Sequence, residues 1–299
     1  MANNTIKFKE PFSEQYTLFI DSDIKGVNVH MTSTSQMRWD FSVLKSDDLE
    51  SEVRLILLDH MLLDSNNPLI KEIANLTKAF SRLYNELHLK INENGKITEV
   101  VNMDLILSKW KQTKNEMEEI AASNPDIKNA IILNDNLFQD QKKLKEGIEN
   151  SEFFLMYFNK IFGKNIPSSY SQIGLNYFNS ANVDWKYHLK NIGNPLLSDN
   201  EVIVEILGEP SLLSIESIGF KNRAYIQFAN QIDVKNLNPI LQEKGKYRVD
   251  RNTGRIIEAS ILREEIADEE LLYTKMKYTF YNEEMLKYKM YNESITNSK

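Results

Sequence analysis

The chain has no cysteine. That excludes disulfides, thiolate nucleophiles and Cys-ligated zinc, and it leaves the redox compartment open. Only ten glycines serve 299 residues, so phosphate-cradling loops are scarce. No Walker-type loop, Gly-x-Gly-x-x-Gly or Gly-x-Ser-x-Gly elbow occurs. Four histidines, His30, His60, His88 and His188, stand in no metal-ligand spacing with one another. No metal and no cofactor is expected. The net charge is −7 and lysines are interspersed with glutamates, without a polybasic run. Neither nucleic acid nor an anionic membrane surface is therefore an expected partner. No apolar stretch reaches the roughly 20 residues of a membrane span. Residues Met1 to Lys7 lack the apolar core of a secretory signal. The expected location is cytoplasmic, with signal-independent export as the open alternative.

What is present is an ordinary globular composition, 41% hydrophobic and 26% charged. Strand patterns dominate both ends of the chain. Tyr16 to Ile20 and Val27 to Met31 are short β-type runs, and Met37 to Val43 alternates as a half-buried strand does. Val53 to Leu63 begins as a buried strand, although its length also suits a helix. Asn67-Pro68 opens an amphipathic helix carrying Leu69, Ile73, Leu76, Phe80 and Leu83. Leu87–Ile91 and Lys96–Val100 flank Asn92-Glu93-Asn94-Gly95 as a hairpin. In the last half, Leu175–Phe178, Val183–Leu189, Val202–Leu207 and Tyr225–Phe228 are strand candidates. A second hairpin turns at Arg251–Gly254, and Glu270–Tyr281 alternates strongly. Asn292 to Lys299 is polar and is expected to fray.

Between these lies a helix-rich block. Asp104 can cap a helix carrying Ile106, Trp110 and Met117. Asn124-Pro125 restarts a second helix that carries Ile127, Ile131, Leu137, Phe138 and Leu144 and weakens near Gly147, and Phe153 to Phe162 forms a third that ends at Gly163. The third is apolar nearly all round, the mark of a buried helix. The organisation expected is an N-terminal β-rich half (1–102), a central helical block (103–165) and a C-terminal β-rich half (166–299), with one continuous domain also compatible.

Three pieces recur in order. Met37-Arg38-Trp39-Asp40-Phe41 matches Val183-Asp184-Trp185-Lys186-Tyr187, and Glu52-Val53-Arg54-Leu55 matches Glu201-Val202-Ile203-Val204. The hairpin at Gly95 matches that at Gly254. With only three tryptophans in the chain, the Trp39/Trp185 correspondence carries most of the weight. The fold class expected is α+β: duplicated, curved antiparallel sheets with a central helical insertion.

One motif points to chemistry. Phe19-Ile20-Asp21-Ser22-Asp23 resembles the first motif of haloacid-dehalogenase-type phosphatases, a strand ending in Asp-x-Asp. The resemblance implies Asp21 as nucleophile and Asp23 as acid/base. It covers fewer than ten residues, and Lys25 stands where that family carries Thr or Val. The expected reading is a turn with two solvated acids. The carboxylates Glu264, Glu265, Asp268, Glu269 and Glu270 are likewise expected in a charged loop between strands.

The function expected is non-enzymatic: binding a protein partner or assembling into a larger complex or homo-oligomer. Candidate partner-binding residues are Trp39, Trp185, Tyr187, Phe154, Tyr157 and Phe158, because aromatics anchor interfaces. An alternative is a carrier of an apolar small molecule or lipid, with Leu55, Leu57, Val202 and Val204 lining a cavity between sheets. A second alternative is a hydrolase with dispersed carboxylates.

Overall fold

The computed structural model describes residues 5–68, 70, 85–122, 124–193 and 200–297. The helix expected after Asn67-Pro68 lies almost wholly outside them. Eleven strands form one antiparallel sheet. They are β1 (Phe12–Gly26), β2 (Val29–Ser46), β3 (Glu50–Ser65), β4 (Glu86–Asn92), β5 (Ile97–Val100), β6 (Ser168–Leu175), β7 (Asn182–Ile192), β8 (Glu201–Pro210), β9 (Ile240–Asp250), β10 (Ile256–Asp268) and β11 (Leu272–Asn282). Their spatial order is β5-β4-β3-β2-β1-β11-β10-β9-β8-β7-β6. Two meanders are thus joined by β1 and β11, which pair from Tyr16↔Asn282 to Gly26↔Leu272. Where two sheets were expected there is a single open one, with β5 and β6 as its edges.

Seven helices occur among the described residues. α1 (Met103–Ala121), α2 (Pro125–Phe138), α3 (Gln141–Glu149) and α4 (Glu152–Tyr157) follow β5. α5 (Leu212–Ile215) and α6 (Ile218–Ala224) lie between β8 and β9, and α7 (Glu283–Asn297) follows β11.

Alternation decides which face is buried. Tyr16 and Leu18 of β1, Trp39 and Phe41 of β2, Tyr247 and Val249 of β9 and Phe280 of β11 all turn to one face and are buried there. α4 presses into that face as an aromatic wedge. Phe41 lies 5.1 Å from Phe153 and 4.9 Å from Tyr157, Tyr16 stacks on Phe280 at 4.7 Å, and Phe8 meets Phe162 at 4.7 Å (ring centroids). A wedge of this kind can be apolar all round because the sheet takes one side and the N-terminal segment and hairpins take the others. α1 and α2 share a smaller core of Trp110, Met117, Ile127 and Ile131. Trp110 Nε1 donates to Asp135 Oδ1 at 2.9 Å there.

Several expectations are corrected. The second helix is broken where Asp140 caps α3, its carboxylate accepting from the backbone of Lys142 and Lys143. The third helix spans only Glu152–Tyr157. Tyr225 to Phe228 is no strand but a helix end and a 3-10 turn, because α6 packs there with Phe220 and Ala224 buried. Residues 292–297, expected to be a polar end, continue α7, whose start has Asn282 Oδ1 accepting from Met285 N; 298–299 lie outside the described residues. Asp21 and Asp23 lie within β1 rather than in a turn, since the antiparallel pairing extends to Gly26.

Two glycines close the packing. Gly163 (φ 72°) and Gly254 (φ 75°) adopt left-handed backbone, and a Cβ there would come within 2.4 Å of Glu93 O and 2.2 Å of Lys7 O. Two substitutions test this core by urea denaturation. Phe41→Ala is expected to cost about 3–5 kcal/mol as a large-to-small change in a fully buried site. Gly254→Ala is expected to cost more than the ~1 kcal/mol of left-handed strain alone, because the backbone must also move.

Candidate functional site

The wedge carries a charge inward with it. Lys160, just past α4, is 2% exposed, and Glu243 of β9 is 1% exposed. Lys160 Nζ sits 2.6 Å from Glu243 Oε1, and Arg263 Nε of β10 donates to Glu243 Oε2 at 2.9 Å. Lys160 also donates to Tyr187 Oη at 3.1 Å and lies over that ring. The Arg263 guanidinium lies over Tyr177 and Tyr278. Tyr177 Oη donates to Glu243 at 3.4 Å, and Tyr170 Oη donates to the Lys160 carbonyl at 3.3 Å. The Tyr247 hydroxyl of β9 is buried and has no hydrogen-bond partner among the described residues.

One buried and one partly buried cation therefore share one buried carboxylate. Burial pushes the Glu243 carboxyl up, but Lys160 and then Arg263 outweigh it and hold the group below its ordinary value. Burial pulls Lys160 down to about 8, against the opposing pull of Glu243. The ion pair keeps both groups charged near neutrality. Burial and the Glu243 charge together push Tyr187 well up, so its hydroxyl stays protonated.

This cluster floors an open pocket of about 360 Å³ at the β6 edge. Lys160, Arg263, Lys164, Asn159 and Gln172 supply polar groups, Leu155 and Phe158 supply apolar ones, and Ile173 and Gly174 border the pocket from the β6 edge. Lys96 also lines it but is paired with Glu149 at 2.9 Å. Lys164 lies over Tyr170 with no carboxylate partner among the described residues. The floor is net positive: Lys160, Arg263 and Lys164 against Glu243. Such a site can take an anionic group, with the guanidinium and ammonium as charge-assisted donors.

A second buried carboxylate is purely architectural. Glu265 accepts from Asn176 Nδ2, Tyr225 Oη and the backbone of Tyr177 and Phe178, fixing the turn after β6. It lies in β10 together with Glu264, not in a loop. Two further grooves are open. One of about 480 Å³ on the outer face collects His188, Lys190, Lys244, Lys246 and Lys277 with Glu205. The other, about 770 Å³, lies between that face and α7. Asp23 is bonded to His30 at 2.8 Å, and Asp21 accepts from Thr34 at 2.9 Å, mid-strand on the outer face. A phosphatase-type Asp-x-Asp would need a parallel strand ending there, and β1 is antiparallel on both sides. Among the described residues no group of three His, Asp or Glu could hold a metal. No helix among them is long and apolar enough to cross a membrane.

All six aromatic residues singled out from the sequence are buried. Trp39 packs edge-on to Phe153 at 5.4 Å, and Phe154 and Tyr157 belong to the wedge. Trp185 packs on Tyr177 at 5.2 Å. Only Phe158 and Tyr187 reach the charged pocket, the first as lining and the second through its bond with Lys160. Leu55, Val202 and Val204 are buried in the main core and Leu57 packs against it. They sit on β3 and β8, strands well apart in the sheet. Lys160, Glu243 and Arg263 escaped sequence reading, although each interrupts an apolar pattern. Lys160 lies inside Phe153–Phe162, Glu243 alternates with Leu241 and Tyr247, and Arg263 follows Ile261 on the inward parity.

No protein-family model matches the chain, and no curated protein matches it. Among solved structures, one of lipid–protein interactions in lipovitellin is similar at a TM-score of 0.37 and 9% identity. The match covers 91% of this chain and 25% of that one, so the chain spans about a quarter of that protein's length. A likeness this slight carries no argument about fold or function.

Glu243→Gln leaves buried Lys160 and partly buried Arg263 without their carboxylate and is expected to cost about 3 kcal/mol, read by chemical denaturation at pH 7. The sign in acid follows from the lowered carboxyl. Glu243 contributes stability above its ordinary value of 4.5 and loses it as pH falls through the lower folded value. Below pH 4.5 the wild type should therefore lose stability faster than Glu243→Gln, and equal slopes would show that the pair does not hold the fold.

Proposed function

We propose that the chain is a non-enzymatic binding protein that holds an anionic group of a partner in the pocket beside β6. Arg263, Lys160 and Lys164 are its cationic contacts, and Gln172 and Asn159 its neutral ones. The observation that carries this reading is the shared carboxylate. Lys160 is buried and Arg263 partly buried against Glu243, the one carboxylate they share, and desolvating a net positive cluster costs free energy that a bound anion recovers. Tyr187, protonated and bonded to Lys160, holds the ammonium in place. A protein partner is favoured over an apolar cargo because the buried face is occupied by the wedge: a cargo beside Leu55 or Val204 would have to displace packed side chains. We also read the recurrence of β2-β3-β4-β5 in β7-β8-β9-β10 as an internal duplication, with Trp39 and Trp185 at equivalent places.

Isothermal titration with glutarate and with inorganic phosphate tests the pocket. Saturable binding of at least one anion is expected, and Lys164→Gln should weaken it by about tenfold, the ~1.5 kcal/mol of one charge-assisted bond. Lys164 makes no ion pair among the described residues, so the variant should lose no more than the ~0.5–1 kcal/mol of its contact with the Tyr170 ring and stay folded. Absence of binding by either anion would contradict the reading.

A further inference from the structure

The two edges of the sheet are treated differently. β5 is four residues long, and α3 covers its free side. Ile97 N–H donates to Glu149 and the Thr98 carbonyl accepts from Lys145. β6 is eight residues long and pairs only with β7. Among the described residues, no backbone group of 168–175 makes a hydrogen bond outside that ladder. Its sequence, Ser168-Ser169-Tyr170-Ser171-Gln172-Ile173-Gly174-Leu175, contains no charge and no proline. Those are the devices that normally blunt an exposed edge. Ile173 is 73% exposed and Leu175 51%. Gln172, Ile173 and Gly174 of the same strand border the cationic pocket.

We infer that β6 is an acceptor edge for an extended acidic segment of a partner protein, which adds to the sheet as a further strand and sets a carboxylate into the pocket. The inference rests on the anion-binding reading above and names the carrier of the anion. Main-chain hydrogen bonds along β6 supply affinity, and alternate side chains of the added strand supply specificity. Ile173 and Leu175 offer apolar contact on the outer face, while the inward-facing positions lead to Arg263, Lys160 and Lys164. Charge complementarity selects the occupant. A lysine in the same position would meet three cations, and a neutral strand would leave their charge unanswered.

The test is an array of eight-residue, β-prone peptides bearing Glu, Gln or Lys at one scanned position, measured against the full chain. The best Glu peptides are then remade with alternate backbone amides N-methylated. Glu is expected to beat Gln by about tenfold at one register, with Lys weaker still. N-methylation should remove most of the binding, and hydrogen exchange should slow across 168–175 when the Glu peptide is present. Equal binding of methylated and unmethylated Glu peptides would overturn strand addition while leaving the anion pocket standing. Strand addition is likewise overturned, and the pocket kept, if glutarate binds but no peptide does. If neither glutarate nor any peptide binds, the pocket reading fails as well.

Discussion

An open sheet of eleven strands leaves an entire face to be covered, and here one short aromatic segment fills the part of it around the β1–β11 junction. Phe153, Tyr157 and Phe158 are buried against rings contributed by β1, β2 and β11, and Phe154 packs on Phe158. Burial of this much aromatic surface is the dominant favourable contribution to folding. It also ties the two meanders together, because the wedge touches strands on both sides of the β1–β11 junction. Its position is fixed by backbone as much as by side chains. Gly163 and Gly254 let the chain pass within van der Waals limits of the hairpin at Glu93 and the N-terminal segment at Lys7.

The same packing creates the charged pocket. Once α4 is seated, Lys160 follows it below the surface and must find a counter-charge, which Glu243 provides. Arg263 then shares that carboxylate from the neighbouring strand. The tyrosines around them have high-lying hydroxyl pKa values and so remain neutral donors and acceptors rather than competing anions. Glu243, held below its ordinary value by the cations on either side, stays ionised as their shared partner. Two cations fixed on one carboxylate suit the recognition of charge proposed above.

Much of the sheet was legible in the sequence because strand alternation is a local signal. Met37 to Val43, the Gly95 and Gly254 hairpins and Glu270 to Tyr281 all stand where their patterns placed them. Long-range pairing was not legible. Nothing in residues 16–26 announces that they will lie against 272–282, so one continuous sheet could not be told from two. Asp140 as a cap was hidden inside what read as one helix carrying residues up to Leu144, and the stretch that opens α7 at Asn282 was given no element. The charged site was hidden for a different reason. Its three members are far apart in the chain, and only their occurrence on apolar parities hinted at burial.

The central claim is that the partly buried Arg263 guanidinium answers to an anion. Selective ¹⁵N-arginine labelling makes the Arg263 Nε–H resonance, held by Glu243, observable and assignable by an Arg263→Lys variant. Titration with glutarate is predicted to shift that resonance saturably, with the other arginine side chains unmoved. A folded protein whose Arg263 resonance stays still at saturating glutarate and phosphate would contradict the account.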